Sequence, residues 1–322
     1  MVLLTCVWLI LGQTPPVPKD VAELRIPFEQ FTVKDALGRT ITAYLSKPPL
    51  GNGHKQLPVI LFVTGSGCQS VWTRHENNVN SGLQGLIYQL AKGRARVLVV
   101  EKPGVKPLDA PKGIGAATDG TREFLEEHTL PRWATANAAA LGQVLARPDI
   151  DPKRVLVVGH SEGGIVAARV AAEVPRVTHA APLSCAGVSQ LFSLVELARR
   201  RAPEGRSGAA MQAVYDEWAK ILAKPESIDD FWMGHPYRRW STFLKSSVID
   251  ELKRSKAKVY LAHGTADESD SVIGFDVMRA ELLAAGRDVT AERVEGSDHG
   301  FAVQGQSGIS KVFGNVVEWY LR

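Results

Sequence analysis

The sequence predicts an α/β domain, with a mostly parallel sheet covered by helices on both faces. Three observations predict it. Short apolar, β-branched runs of strand length alternate with helix-like patterns along most of the chain. One of these runs, Arg154-Val155-Leu156-Val157-Val158, leads through Gly159-His160-Ser161-Glu162-Gly163 into an Ala-rich helical pattern over 164–172. The length of 322 residues, 45% of them hydrophobic, fits two domains by number alone, and equally one α/β domain with an insertion.

The elements follow in order. Residues 2–11 form an apolar run of secretory h-region length, too short to span a membrane. It has no basic start and no A-x-A site after it, and Thr14-Pro15-Pro16-Val17-Pro18 reads as a linker. Residues 1–19 are therefore read as a degenerate signal peptide or an N-terminal linker. The first places the protein outside the cytoplasm, secreted or periplasmic; the second leaves it cytoplasmic. Residues 23–33 and 40–47 read as a hairpin turning at Asp35-Ala36-Leu37-Gly38-Arg39, an antiparallel edge for the sheet. Residues 57–63 are a plain buried strand, 83–91 a helix and 96–100 a strand. The Gly-, Pro- and Lys-rich stretch 102–121 reads as loop, and 134–146 as the helix before the central strand. Residues 177–183 form the strand after the Ala-rich helix. About seventy residues then separate this strand from the stretch 258–267, a buried strand ending in a polar turn, too many for one crossover. Within them 190–201, 209–223 and 227–232 look helical, and Arg199-Arg200-Arg201 reads as a solvated helix end. Residues 289–294 are the last strand, before a final helix.

The chemistry concentrates at strand ends. A serine between strand and helix in G-x-S-x-G stands on a sharp turn that exposes its hydroxyl. The backbone N–H of the next residue, Glu162, is then aimed at a developing oxyanion. A serine hydroxyl is a poor nucleophile unless a base takes its proton and a third group orients the base. In the chain order Ser, acid, His, two later turns supply them: Asp267, just past the strand ending His263-Gly264, and His299, in the turn Asp298-His299-Gly300-Phe301. Asp270 competes with Asp267, which lies nearer the strand end; Asp298 adjoins His299 and should point away from it. His160 and His263 read as packing or hydrogen-bonding neighbours. His54, His75, His128, His179 and His235 have no companion motif.

On the elbow Gly159-His160-Ser161-Glu162-Gly163-Gly164, the turn His263-Gly264-Thr265-Ala266-Asp267 and the turn Asp298-His299-Gly300-Phe301, the chain resembles the α/β-hydrolase superfamily. More narrowly, it resembles the dienelactone-hydrolase and acylaminoacyl-peptidase-like branch and its bacterial esterases, over about residues 20–322. The resemblance implies an eight-stranded sheet, with the acid after the seventh strand and the base after the eighth. It implies a second oxyanion donor in the loop after the third strand, where this chain has Thr64-Gly65-Ser66-Gly67-Cys68; the Ser66 amide is favoured, with Gly67 and Cys68 as alternatives. It also implies a helical cap inserted at 188–250 between core segments 20–187 and 251–322. The cap's aromatics Trp232, Tyr237 and Trp240 would bind substrate or hold cap to core.

The function expected is a serine hydrolase cleaving carboxylic esters through an acyl-enzyme, with Ser161, His299 and Asp267 as the triad. The alternatives are an aminopeptidase or amidase of the same fold and a catalytically inactive binding protein. The implied partner is a small-molecule ester, with no metal or organic cofactor. A net charge of +4 is too small to argue for nucleic acid, and neither a phosphate-binding Gly loop nor a metal-spaced Cys/His cluster is present. The three cysteines, Cys6, Cys68 and Cys185, form no framework.

Overall fold

The computed structural model describes residues 26–49, 56–75, 78–108, 111, 113 and 115–322. The expected leader 1–19 lies outside the described residues. Eight strands make one sheet: β1 (Phe28–Lys34), β2 (Thr40–Ser46), β3 (Leu57–Val63), β4 (Arg96–Val100), β5 (Ile150–His160), β6 (His179–Leu183), β7 (Lys258–Gly264) and β8 (Val289–Val294). Their spatial order is β1-β2-β4-β3-β5-β6-β7-β8. β2 pairs antiparallel with both β1 and β4; the remaining neighbours are parallel.

The central strands are apolar throughout because both their faces are covered. In β3, Ile60 and Phe62 face one layer while Leu61 and Val63 face the other, the two-residue period of a strand. The first layer holds α1 (Gly82–Ala91) and α10 (Ile309–Leu321), which bring Ile87, Phe313 and Val317. The second holds α3 (Leu130–Leu145), α4 (Glu162–Glu173) and, further along the chain, two more helices described below; α3 and α4 supply Trp133, Ala140 and Ala168. Burying each large apolar side chain contributes about 1.5–3 kcal/mol. The β1–β2 turn is held by the Asp35 carboxylate, whose Oδ1 accepts the N–H groups of Leu37 and Arg39.

Several boundaries differ from the sequence reading for local reasons. α3 starts at Leu130, a turn earlier than expected, because Pro131 suits a first helical turn. A short helix, α2 (Arg122–Glu127), closes the long loop after β4, and the Thr121 hydroxyl accepts the Phe124 N–H to cap it. Residues 227–232 are not helical. The Ser227 hydroxyl takes the N–H groups of Asp229 and Asp230 into a turn. Phe231–Trp232 then pairs antiparallel with His235–Pro236.

Between β6 and β7 lie α5 (Gln190–Arg201), α6 (Ser207–Ala223), that small hairpin, α7 (Tyr237–Phe243) and α8 (Val248–Arg254). α5 and α6 pack on each other, and α6 also packs on α7. α8 instead sends Val248, Ile249 and Leu252 into the second layer with Phe275 of α9 (Val272–Ala284), so the boundary expected at 250 falls inside a core helix. Among the described residues no helix is long and apolar enough to cross a membrane.

Candidate active site

β5 ends at His160 and α4 begins at Glu162, which leaves Ser161 alone at the turn with φ 59° and ψ −129°. A non-glycine residue in such a region is strained by about 1–3 kcal/mol and persists only where its surroundings fix it. Here the Ser161 N–H donates to the Leu183 carbonyl and the Ser161 carbonyl accepts from Gly164, both at 2.9 Å. The turn also needs Gly163: a Cβ there would overlap the Val63 carbonyl oxygen and stand 2.9 Å from that of Thr64. The first N–H groups of a helix have no intrahelical acceptor, so the amide of Glu162 is left for a ligand beside Ser161. The loop after β3 borders the serine, since a Cβ on Gly65 would stand 3.9 Å from the Ser161 Cβ.

Asp267 and His299 meet. His299 Nδ1 lies 2.8 Å from Asp267 Oδ2. With that proton on Nδ1, Nε2 keeps a lone pair and can act as a base. Burial alone would lower the His299 pKa, but the hydrogen bond and charge of Asp267 outweigh it and raise it above the ordinary imidazole value. Burial likewise pushes Asp267 up, and its contact with His299 brings it below the ordinary value. Asp267 is fully enclosed, and its Oδ1 accepts the N–H groups of Ser269 and Asp270. His160 Nε2 lies 2.7 Å from the His299 carbonyl oxygen, so the residue before the serine holds the backbone that carries His299. His263 is buried behind the pair, 3.4 Å from Asp267 Oδ2. Asp270 takes no part in this pair: its Oδ1 accepts the Ser271 N–H, and burial drives its pKa to about 7. Asp298 caps its own turn, accepting from Gly300 and Ala302.

Glu162 does more than its backbone foretold. Its carboxylate is buried and accepts two hydrogen bonds from Arg239, Nε at 3.0 Å and Nη2 at 2.6 Å, and lies 2.8 Å from His128 Nε2. Lys102 Nζ is 3.8 Å from Glu162 Oε1 and donates to the carbonyls of Gly65 and Gly67, the latter at 2.8 Å. Burial pushes the Glu162 pKa up, and its contacts with His128, Arg239 and Lys102 more than reverse that, bringing it well below the ordinary carboxylate value. Burial drives His128 down to about 4, so it sits neutral, donating from Nε2. His128 had no companion in the sequence, and Lys102 and Arg239 fell in a loop and an insertion. No sequence signal joins four residues spread from 102 to 239.

The Ser66-Gly67-Cys68 loop is packed from outside. Gly67 has φ 96°, and a Cβ on it would stand 3.0 Å from the Cα of Gly115. Cys68 is buried, with Sγ 3.6 Å from the Ala116 carbonyl; no disulfide joins it to Cys185. Ala117 N–H donates to the Gly234 carbonyl, which brings the hairpin 231–236 against the segment 115–117.

Of the three aromatics expected to bind substrate or hold cap to core, Trp232 lines a cavity. That cavity, of about 320 Å³, lies between α5, α6 and the turn after Asp267, with Leu194, Leu197, Val214 and Met233 on its wall and Ser269 beside them. Tyr237 and Trp240 take the other place expected of them, inside the packing of the insertion. Tyr237 is buried with its hydroxyl bonded to the Glu217 carboxylate; Trp240 is 3% exposed and its Nε1 donates to the Trp232 carbonyl. Both pack with Ile221 and Leu244, because a ring with a satisfied polar atom is most stable fully enclosed. The Arg199–Arg201 run is corrected in part: Arg200 donates to the Asp267 carbonyl at 2.6 Å and Arg201 to that of Glu268, which ties α5 to the acid's turn.

A model of the alpha/beta hydrolase family matches residues 60–307. No curated protein matches the chain. Among solved structures, the acylaminoacyl peptidase of Pyrococcus horikoshii is 15% identical with a TM-score of 0.62, over 94% of this chain and 42% of that one. A puromycin-hydrolyzing peptidase of Mycobacterium tuberculosis is 18% identical with a TM-score of 0.59, over 91% and 38%. Est1E from Butyrivibrio proteoclasticus is 15% identical with a TM-score of 0.56, over 91% and 98%. The chain thus spans under half the length of these two peptidase chains. At such identities the likeness is one of fold.

Proposed function

The chain belongs to the alpha/beta hydrolase family, and from that premise we propose that it is a serine hydrolase that transfers the acyl group of a carboxylic ester to water. One observation carries this reading: the Asp267–His299 pair is fastened, through His160 and the His299 carbonyl, to the strained turn that presents Ser161.

Ser161 Oγ attacks the ester carbonyl carbon while its proton passes to His299 Nε2. Asp267 holds the imidazole in the required tautomer and stabilises the imidazolium that forms. The carbonyl oxygen becomes an oxyanion, which the amides of Glu162 and Ser66 receive. Collapse breaks the C–O bond, and the alcohol leaves with the proton from His299. A water then repeats the sequence on the acyl-enzyme, releasing the acid and restoring Ser161. The helices between β6 and β7 act as a cap, and the cavity beside Trp232 receives the acyl chain at about 0.8 kcal/mol per buried CH₂.

Amide cleavage is the second reading, supported by the peptidase names of two structural neighbours. Turnover of p-nitrophenyl acyl esters beside aminoacyl-p-nitroanilides separates the two. A fluorophosphonate should label Ser161, and Ser161→Ala should abolish both label and turnover while leaving the fold intact. Wild-type ester hydrolysis by Ser161→Ala would overturn the mechanism.

A further inference from the structure

We infer that Lys102 is a positioning residue for the oxyanion hole, setting the peptide planes of the Gly65–Cys68 loop from beneath and tying them to Glu162. This rests on the acyl-transfer reading above and names a residue that reading does not need.

The geometry is specific. Lys102 follows β4 by two residues and is 3% exposed. Its Nζ donates to the carbonyls of Gly65 and Gly67 and approaches Glu162 Oε1. Two of its donors meet carbonyls, and its charge faces the Glu162 carboxylate at 3.8 Å, an ion-pair distance rather than a hydrogen bond. In a planar trans peptide the N–H points opposite to the C=O. Fixing the Gly65 and Gly67 carbonyls towards Lys102 therefore turns the N–H groups of Ser66 and Cys68 away from it. Lys102 also withdraws electron density through both carbonyls, which makes those N–H groups better donors. Glu162 then serves both halves of the hole. Its own amide is one donor, and its carboxylate, anchored by Arg239 and His128, holds the cation that orients the other.

Burying an ammonium is costly, and a methionine of similar length would fill the space without that cost. Packing alone gives no reason for the charge; the two carbonyls do. The loop's own sequence cannot set these planes, because Gly65 and Gly67 add no side-chain preference and Gly67 sits at positive φ.

The test compares wild type, Lys102→Met and Lys102→Gln on p-nitrophenyl butyrate, with active sites titrated by a fluorophosphonate so that rates refer to competent molecules. A second arm measures inhibition by an alkyl trifluoromethyl ketone, whose hemiketal with Ser161 carries the oxyanion. Loss of one oxyanion donor costs on the order of 10²–10³ in kcat, and a misdirected donor should cost roughly 10–100-fold. Lys102→Met should therefore lower kcat by that factor with KM within about twofold, and weaken the ketone in parallel with kcat/KM. Lys102→Gln, which can hold one carbonyl, should fall between Met and wild type. A kcat per titrated site within about twofold of wild type, or a rise confined to KM, would overturn the role. So would a ketone that binds Lys102→Met as tightly as wild type. If Lys102→Met does not fold, Lys102→Gln decides on the same criteria. A wild-type protein inactive on esters and anilides would overturn the acyl-transfer reading itself, and this inference with it; an active wild type with an unaltered Lys102→Met overturns only the inference.

Discussion

Replacing Arg239 by Met should destabilise the protein by about 3–5 kcal/mol, the cost of removing one partner from a buried ion pair. The magnitude follows from the surroundings. Arg239 is 1% exposed, donates twice to Glu162, and lies over two aromatic rings, its guanidinium carbon 4.0 Å from the Trp240 centroid and 4.3 Å from that of Phe243. Met keeps most of the apolar packing, so the loss reports chiefly on the stranded carboxylate. At about 2 °C per kcal/mol for a chain of this size, Tm should fall by roughly 6–10 °C by calorimetry. Glu162→Gln in the same background removes the charge that Arg239→Met leaves behind. The double variant should therefore lose less than the sum of the two singles, with a coupling of about 0.5–3 kcal/mol. A single-variant loss below about 1 kcal/mol, or strict additivity, would refute the claim that these charges are desolvated and mutually dependent.

Further outcomes follow from the same site. Asp267→Asn should lower kcat/KM by about 10⁴, while Asp270→Asn and Asp298→Asn should cost far less; steady-state kinetics on one ester rank them, and a larger loss at Asp270 reverses the assignment. Because Asp267 raises the His299 pKa, and the base must be neutral, kcat/KM should fall as pH drops through a value above about 6.5, the ordinary imidazole value. A pH profile whose acid limb lies below that value contradicts the pairing. Trp232→Ala should shift the ratio of kcat/KM between long and short acyl esters, whereas Trp240→Ala should chiefly lower Tm; equal effects on all esters from Trp232→Ala would place the acyl site elsewhere.

What was legible in the sequence is what one dimension can carry. The strands 57–63, 96–100 and 289–294, and the one that begins at 258, appear at their expected places because an apolar run bounded by polar turns has few other ways to be satisfied. The elbow was legible because a strand, a tight turn and a helix adjoin in the chain. Asp267 and His299 could be chosen because each ends a recognisable strand or loop. The Glu162 cluster could not. A buried Glu needs cations, but nothing at 102, 128 or 239 marks those residues as its partners before the chain folds. Trp232, Tyr237 and Trp240 look alike in sequence; which of them faces a cavity depends on whether Glu217 or a carbonyl is at hand to satisfy its polar atom.

The segment between β6 and β7 leaves and rejoins the core at almost one point. The Ile249 N–H donates to the Gly187 carbonyl at 3.1 Å, and the Leu191 N–H donates to the Leu244 carbonyl at 3.2 Å. An excursion of some sixty residues is thus closed at its neck by two backbone hydrogen bonds, like a loop drawn shut by a cord. Lengthening such a loop costs little, since the entropy of closure grows only with the logarithm of its length. Stretches within it that carry no tie to the core can change in length without strain at the neck, whereas α5 and α7 are bound to the site through Arg200 and Arg239. The protein is in this sense two materials joined at a seam: a core whose geometry tolerates little revision, and an excursion stitched to it at the neck and at those two arginines.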